Sequence, residues 1–293
     1  DLVRSRGLGD VYKRQRRNAG SVTSSIGASN TGFSPKSMFL IFIALILSRK
    51  GSEILLYPEK TLPLHRNITI TEMSYTIKDF EIMAPVGSRE SLAAALHAGA
   101  DSIYFGIESL NMRARSASTF TIDDLREIAK ICDEHGVKSY LTINTIIYDE
   151  DITLMRKIVD AAKEAGISAV IAADVAVMAY CNEVGQEVHL STQLNISNAE
   201  ALKFYSRFAD VVVLARELNL KQVRKIYDAI QEQQIKGPMG ELVRIEMFCH
   251  GALCMAVSGK CYLSLNELNA SANRGACMQV CRRAYTVCLL YTS

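Results

Sequence analysis

From residue 80 onward the chain alternates between two patterns. Short runs rich in β-branched and aromatic residues are FEIMAP (80–85), SIYFG (102–106), KSYLTIN (138–144), AVIAAD (169–174), EVHLSTQ (187–193), VVVLA (211–215) and VRIEMFCH (243–250). Between them lie longer stretches of amphipathic, helical pattern. The first kind predicts strands and the second helices. SRESLAAALHAGA opens with the N-cap candidate Ser88 and closes at Gly99. TIDDLREIAKICDEHG has Thr121 ahead of a carboxylate pair and ends at Gly136, and DITLMRKIVDAAKEAG ends at Gly166. A glycine there allows the left-handed turn that closes many helices.

Repeated strand–helix units imply a parallel sheet, and runs that are apolar nearly throughout suit strands covered on both faces. Seven units fit before Val287. The expected fold is therefore α/β, a (β/α)8 TIM-like barrel truncated before its last strand. A doubly wound open sheet is the alternative. No G-x-G-x-x-G follows the first strand, which argues against a dinucleotide-binding fold.

The two ends break this pattern. Residues 5–15 (SRGLGDVYKRQ) and 288–293 (CLLYTS) read as translated sequencing adapter, one strand at each end in the matching orientation. The chain is therefore expected to be a metagenomic fragment, with Cys288 an artefact and natural protein continuing past Val287. The ten apolar residues from Met38 to Leu47 are too few to span a bilayer. No small-residue cleavage site follows them, so upstream DNA read in frame is preferred over a signal peptide. Met73 is the expected start. Residues 1–72 form a non-native or disordered leader, 73–287 the barrel, and 288–293 the adapter-like tail.

Charge changes the picture once it is divided. The formal net charge is +2. Residues 1–72 hold 11 Lys and Arg against 5 Asp and Glu, whereas 73–287 hold 22 against 26. The basic excess belongs to the leader, so the body shows no general nucleic-acid-binding charge. Arg113, Arg115 and the CRR at 281–283 are its only basic hints.

In barrels the working residues sit at the C-terminal ends of strands. Those ends carry Asn111 and Arg113 after the second strand, Asn144 at the third and Asp174 at the fourth. Ser191, Thr192, Gln193 and Asn195 follow at the fifth, Arg216 and Glu217 at the sixth, and Glu246, Cys249 and His250 at the seventh. Singly, each has an ordinary explanation as a turn, cap or ion-pair residue. Together they would make a polar, chargeable cavity.

Five of the eight cysteines lie between 249 and 281. Cys132 and Cys181 fall in helical stretches and read as small buried hydrophobes. For the cluster, four chemistries compete. Disulfides need an oxidising compartment. Zinc favours paired C-x2–4-C units, whereas the gaps here are C-x4-C, C-x6-C, C-x15-C and C-x3-C. Cys254 beside His250 has the makings of an activated nucleophile. An iron–sulfur cluster needs four thiolates and tolerates varied spacing. Spacing alone does not choose among them.

EMFCHGALCMAVSGKCYLS (246–264) resembles the signature of the collagenase-like peptidase family U32. The likeness extends to APVGSRESLAAALHAGADSIYFG, NMRARSASTFT, LTINT, HLSTQLNISN, VVLARELNL and SANRGACMQVCRR, over about residues 80–285. The family was named for proteolysis, yet no H-E-x-x-H and no Ser-His-Asp order occurs here. The resemblance implies an oxygen-independent hydroxylation protein carrying a [4Fe–4S] cluster and acting on tRNA or rRNA bases or on ubiquinone precursors. Some RNA-modifying members use prephenate as co-substrate and source of the hydroxyl group. By the same resemblance Cys254, Cys261 and Cys277 match cluster ligands. The family's fourth ligand lies beyond Val287, with Cys281 a nearby substitute and Cys249 a weaker one.

The expectation is a cytoplasmic iron–sulfur enzyme, a homo- or hetero-oligomer working on RNA and a small-molecule co-substrate away from membranes. Glu246, His250, Arg216 and Glu217 are its catalytic candidates. Asn111, Arg113, Asn144, Thr192, Gln193 and Asn195 are its substrate-binding candidates. Cys254, Cys261, Cys277 and Cys281 would hold the cluster, the first three converging within a few ångströms. The alternatives are a peptidase using metal or Cys254/His250 chemistry, and a non-catalytic partner subunit.

Overall fold

A computed structural model describes residues 80–112, 114, 120–251 and 254–285. The leader, the apolar run 38–47, Met73, both adapter-like ends, Arg113 and Arg115 lie outside the described residues.

Seven strands form one sheet: β1 (Met83–Pro85), β2 (Ser102–Gly106), β3 (Lys138–Ile143), β4 (Ala169–Ala172), β5 (Val188–Leu190), β6 (Val211–Val213) and β7 (Arg244–Glu246). They lie side by side in sequence order and every pairing is parallel. Between them run α1 (Arg89–Ala98), α2 (Ile122–Glu134), α3 (Ile152–Glu164), α4 (Val175–Val184), α5 (Ala199–Tyr205) and α6 (Leu220–Glu232). This is the α/β, TIM-like barrel architecture expected from the alternating pattern. Each predicted run contains a strand, and no eighth strand occurs among the described residues. No helix among them is long and apolar enough to cross a membrane.

Local chemistry explains where the helices start. Ser88 accepts from the backbone N–H of Ser91, Thr121 from Asp124 and Asn219 from Gln222, each in a reciprocal capping box. Asp174 and Asn198 cap α4 and α5 in the same sense. Gly99 closes α1 in the left-handed conformation. Gly136 and Gly166 adopt the same conformation just beyond the ends of α2 and α3.

The sheet register sorts the side chains onto two faces. Ile103, Phe105, Leu141, Ile143, Val170, Ala172, Val188, Leu190, Val212 and Ile245 alternate onto one face and are almost entirely buried. That is the greasy side the helices cover, and each such large side chain contributes roughly 1.5–3 kcal/mol on burial. Cys132 and Cys181 sit in this layer, and burial pushes their thiols up to about 11 and about 12. They are packing residues, as their helical positions suggest.

The opposite face is mixed. It carries Met83, Tyr104, Tyr140, Ala169 and Ile171, together with His189 and Glu246. Charged groups gather at the N-terminal ends of its strands: Glu81, Lys138, Glu187 and Arg244.

Candidate active site at the C-terminal strand ends

The strand ends named from sequence do come together, through a polar lattice. Asn144 at the end of β3 accepts from the backbone N–H of Met112 at 3.1 Å and donates to Ser191 Oγ at 3.3 Å, tying the β2 loop to β5. Asn111 is buried and donates to the carbonyls of Ile107 and Glu108, both at 3.2 Å, so it braces the loop that carries it. It fits because residue 106 is glycine: a Cβ there would overlap the Asn111 side chain. Asp174 accepts from Ile147 N–H at 3.1 Å as well as capping α4. Gln193 and Asn195 lie on a single 3-10 turn, Thr192–Leu194, closed by Asn195 in the left-handed region at φ 52°.

Over these ends lies the cysteine-bearing segment. Arg216, just past β6, donates to Ser258 Oγ at 2.6 Å. Asn273 donates to the Cys261 carbonyl at 3.4 Å. Ile146 N–H donates to the Asn273 carbonyl at 3.1 Å, and Arg274 pairs with Asp151 while stacking over Tyr148. The short helix α7 (Leu263–Leu268) is tied to the next turn by Met278 N–H donating to Ser264 Oγ at 3.1 Å. Gly259 seats the segment on β5, because a Cβ there would overlap the Gln193 carbonyl, and its φ is +73°. Gly259→Ala should therefore unseat the roof, with a cost of about 1–3 kcal/mol. Faster proteolysis within 249–285 at unchanged far-ultraviolet circular dichroism is the expected reading.

Beneath this roof several polar atoms are buried without a protein partner. They include Thr145 Oγ1 and Thr192 Oγ1, Asn195 Oδ1, Arg216 Nε and Asn273 Oδ1. Buried polar groups are seldom left so unless water or a ligand serves them. All five lie at the C-terminal strand ends or in the segment above them. Glu217 and His250, by contrast, are exposed.

The thiols are placed differently from expectation. Cys254 is exposed, Cys249, Cys261, Cys277 and Cys281 are half-buried, and all are free. Burial pushes the Cys249 thiol up to about 11. Among the described residues no three His, Cys, Asp or Glu side chains come together as a metal-ligand set. The expected convergence of Cys254, Cys261 and Cys277 is thus not present. The segment's position is fixed by backbone and side-chain hydrogen bonds at Ser258, Ser264 and Asn273, which leave the thiols to follow. The donor set suits an iron–sulfur cluster in kind, being four free and reachable thiols, but it is not assembled into one.

Glu246 also differs in setting. It lies at the end of β7 but is almost wholly buried, with Oε2 3.7 Å from His189 Nδ1. Glu187 Oε1 lies 3.4 Å from the other ring nitrogen, and Tyr140 packs on the ring with centroids 4.6 Å apart. His189 escaped the sequence reading because it stands mid-strand in EVHLSTQ. Period-2 alternation, which puts it on the same face as Ser191 and Glu187, is the signal that could have found it.

Burial raises the Glu246 pKa from its ordinary 4.5. Burial would lower that of His189, but Glu187 and Glu246 outweigh it and hold it above 6.5. Both groups therefore bind a proton more tightly in the folded chain than in the unfolded one. That contribution to stability is full below about pH 4.5 for Glu246 and below about pH 6.5 for His189. Each is lost as pH rises through the raised folded value. The melting temperature should fall as pH is raised above 6.5, and His189→Gln should flatten that fall; thermal denaturation across pH 6 to about 9 reads it directly.

The model of Peptidase family U32 matches residues 87–291. A protein named Collagenase from Porphyromonas gingivalis is 74% identical over 211 residues, covering 72% of this chain and 51% of that one. A tRNA hydroxylation protein of Bacillus subtilis is 34% identical over 208 residues, covering 70% and 46%. A 23S rRNA 5-hydroxycytidine synthase of Escherichia coli is 32% identical over 216 residues, covering 73% and 31%. The chain spans about half, or less, of the length of these curated relatives. A family match that runs from α1 through the cysteine-bearing segment leaves one conclusion: the chain belongs to peptidase family U32.

Proposed function

We propose that this chain is the barrel of an oxygen-independent hydroxylation enzyme acting on tRNA or rRNA bases. Relatives named as a tRNA hydroxylation protein and a 23S rRNA 5-hydroxycytidine synthase are 34% and 32% identical to it over 208 and 216 residues. The observation that carries the reading is the roof itself: free, reachable thiols held directly over strand ends whose polar atoms lack partners. That suits a site in which thiolates hold a redox group and buried polar groups orient a substrate. Cys254, Cys261 and Cys277 would supply three ligands of a [4Fe–4S] cluster, with Cys281 or a residue outside the described chain the fourth. Bound there, the cluster would supply one-electron redox chemistry; the chain's own residues would position the reactants. Thr192 and Asn195, whose side-chain oxygens lack partners, present hydroxyl and amide groups able to read the edge of a base. Arg216, its Nε without an acceptor, is the candidate for the carboxylate of a co-substrate such as prephenate.

Purification without oxygen, followed by iron analysis and mass spectrometry of nucleosides from treated tRNA and rRNA, tests the reading. Bound iron with a new hydroxylated nucleoside supports it. Iron-free protein with unmodified RNA and cleaved gelatin defeats it. Arg216→Gln should raise the KM for a carboxylate co-substrate by roughly tenfold to a hundredfold, as loss of a charge-assisted bond of about 1.5–3 kcal/mol implies, with a smaller change in kcat.

The peptidase reading is favoured by one finding, the name Collagenase on the relative that is 74% identical. Its proposed nucleophile and base are both exposed at Cys254 and His250. No hydrogen bond between them is present among the described residues, whereas a thiol–imidazole pair works through one.

A further inference from the structure

The inner face of the sheet holds an acid–base chain to which the proposed function gives no part. His189 is 1% exposed and lies at the centre of the sheet's inner face. Its two ring nitrogens face different carboxylates: Nε2 is 3.4 Å from Glu187 and Nδ1 is 3.7 Å from Glu246. The two carboxylates have unlike surroundings. The Glu187 side chain is 28% exposed and is held at 2.8 Å by Arg244, at the N-terminal ends of β5 and β7. The Glu246 side chain is 6% exposed, and its Oε2 has no hydrogen-bond partner apart from the facing, equally unpartnered His189 Nδ1.

We propose that His189 is a proton carrier linking Glu187, at the N-terminal end of the barrel, to the buried carboxyl of Glu246 at the end of β7. The inference stands apart from the hydroxylation reading and holds for whatever reaction the strand ends perform. Imidazole is suited to the task because it takes a proton at one nitrogen and releases one from the other. In the inward step a neutral ring with its proton on Nδ1 takes a second at Nε2 from Glu187, itself protonated from water, which gives the doubly protonated ring held between the two carboxylates; the Nδ1 proton then passes to Glu246 Oε2. One O–H bond breaks at Glu187 and one forms at Glu246. One N–H bond breaks and one forms on the ring, and no electrons are gained or lost.

The surrounding groups keep the carrier in place. Tyr140 packs on the ring and is itself anchored at 2.5 Å by Glu81, which Lys138 holds at 2.7 Å. Tyr140 remains a neutral phenol, since burial and then Glu81 oppose its ionisation. Burial would raise the Glu187 pKa, but His189 and then Arg244 outweigh it and hold the carboxyl below its ordinary value, charged and ready to accept from water. Asp210, buried beside β6, is occupied by the Met239 N–H at 3.0 Å and takes no part in the chain. A purely structural buried pair would need only one carboxylate and no outlet to solvent; this ring has two carboxylates, one of them partly exposed.

The test is nitrogen-15 magnetic resonance of the folded chain with labelled histidine. The chain has five histidines, and the His189 signals are those that vanish in His189→Gln. The expected result is a ring protonated on both nitrogens at pH 7 whose N–H exchanges with water, and an exchange rate at least tenfold slower in Glu187→Gln. Glu187→Asp, which keeps the charge but withdraws it, should slow exchange by a smaller factor and covers failure of the glutamine variant to fold. A ring carrying a single proton at pH 7 overturns the proposal. So does a doubly protonated ring whose exchange is unchanged in either Glu187 variant, because that is a static ion pair.

Discussion

Cys254→Ser, Cys261→Ser and Cys277→Ser, made together, should leave the fold intact and abolish iron binding and RNA hydroxylation. None of the three thiols is buried, so replacing sulfur by oxygen removes little packing; substitutions at such positions usually cost within about 0.5 kcal/mol. Cys181→Ser is the matching control. That side chain is 0% exposed in the helix-covered layer. A hydroxyl left there without a partner costs about 1–3 kcal/mol, yet iron content should be untouched. The two variants thus separate in opposite directions on two readouts, melting temperature and bound iron. Full iron in the triple variant would remove the cluster assignment and return the cysteines to the peptidase reading. If the triple variant behaves as expected, Cys281→Ser alone then identifies the fourth ligand by whether iron falls.

The parts of the molecule legible in the sequence are those governed by local rules. Strand runs such as SIYFG and VVVLA are apolar throughout because both faces are covered. Ser88 and Thr121 mark helix starts because their hydroxyls satisfy orphan N–H groups in the first turn. The strand-end residues were legible by position, since a parallel barrel brings C-terminal ends to one side whatever their spacing in sequence. What each strand-end residue does was not legible. Asn111 and Asn144 lie in the expected place, but both brace loops, a role set by contacts to residues 106–112 and 191. Glu246 was picked out as a strand-end acid and is instead sealed against His189. That pairing joins residues 57 positions apart on strands that are not neighbours, so no local pattern announces it. The cysteine segment has little regular structure, and its thiol positions depend on how Ser258, Ser264 and Asn273 dock, which spacing does not encode.

Glu246→Ala should be among the most destabilising single substitutions in the chain. Removing the carboxyl leaves the His189 ring buried, with Nδ1 facing nothing, while Glu187 still favours its charged form. Breaking one side of a buried pair costs about 3–5 kcal/mol. In a barrel of this size that corresponds to a melting temperature lower by roughly 6–20 °C. The same physics predicts a rescue. Removing both members, as in Glu246→Ala with His189→Leu, takes away the stranded charge and should recover much of the loss, because an apolar pair of suitable volume needs no solvation. The interaction energy from this double-mutant cycle should exceed about 1 kcal/mol. Additive losses would mean that the two side chains act independently, as packing residues that happen to be near each other. A large coupling would mean that the two side chains stabilise the interior of this sheet as one interacting pair.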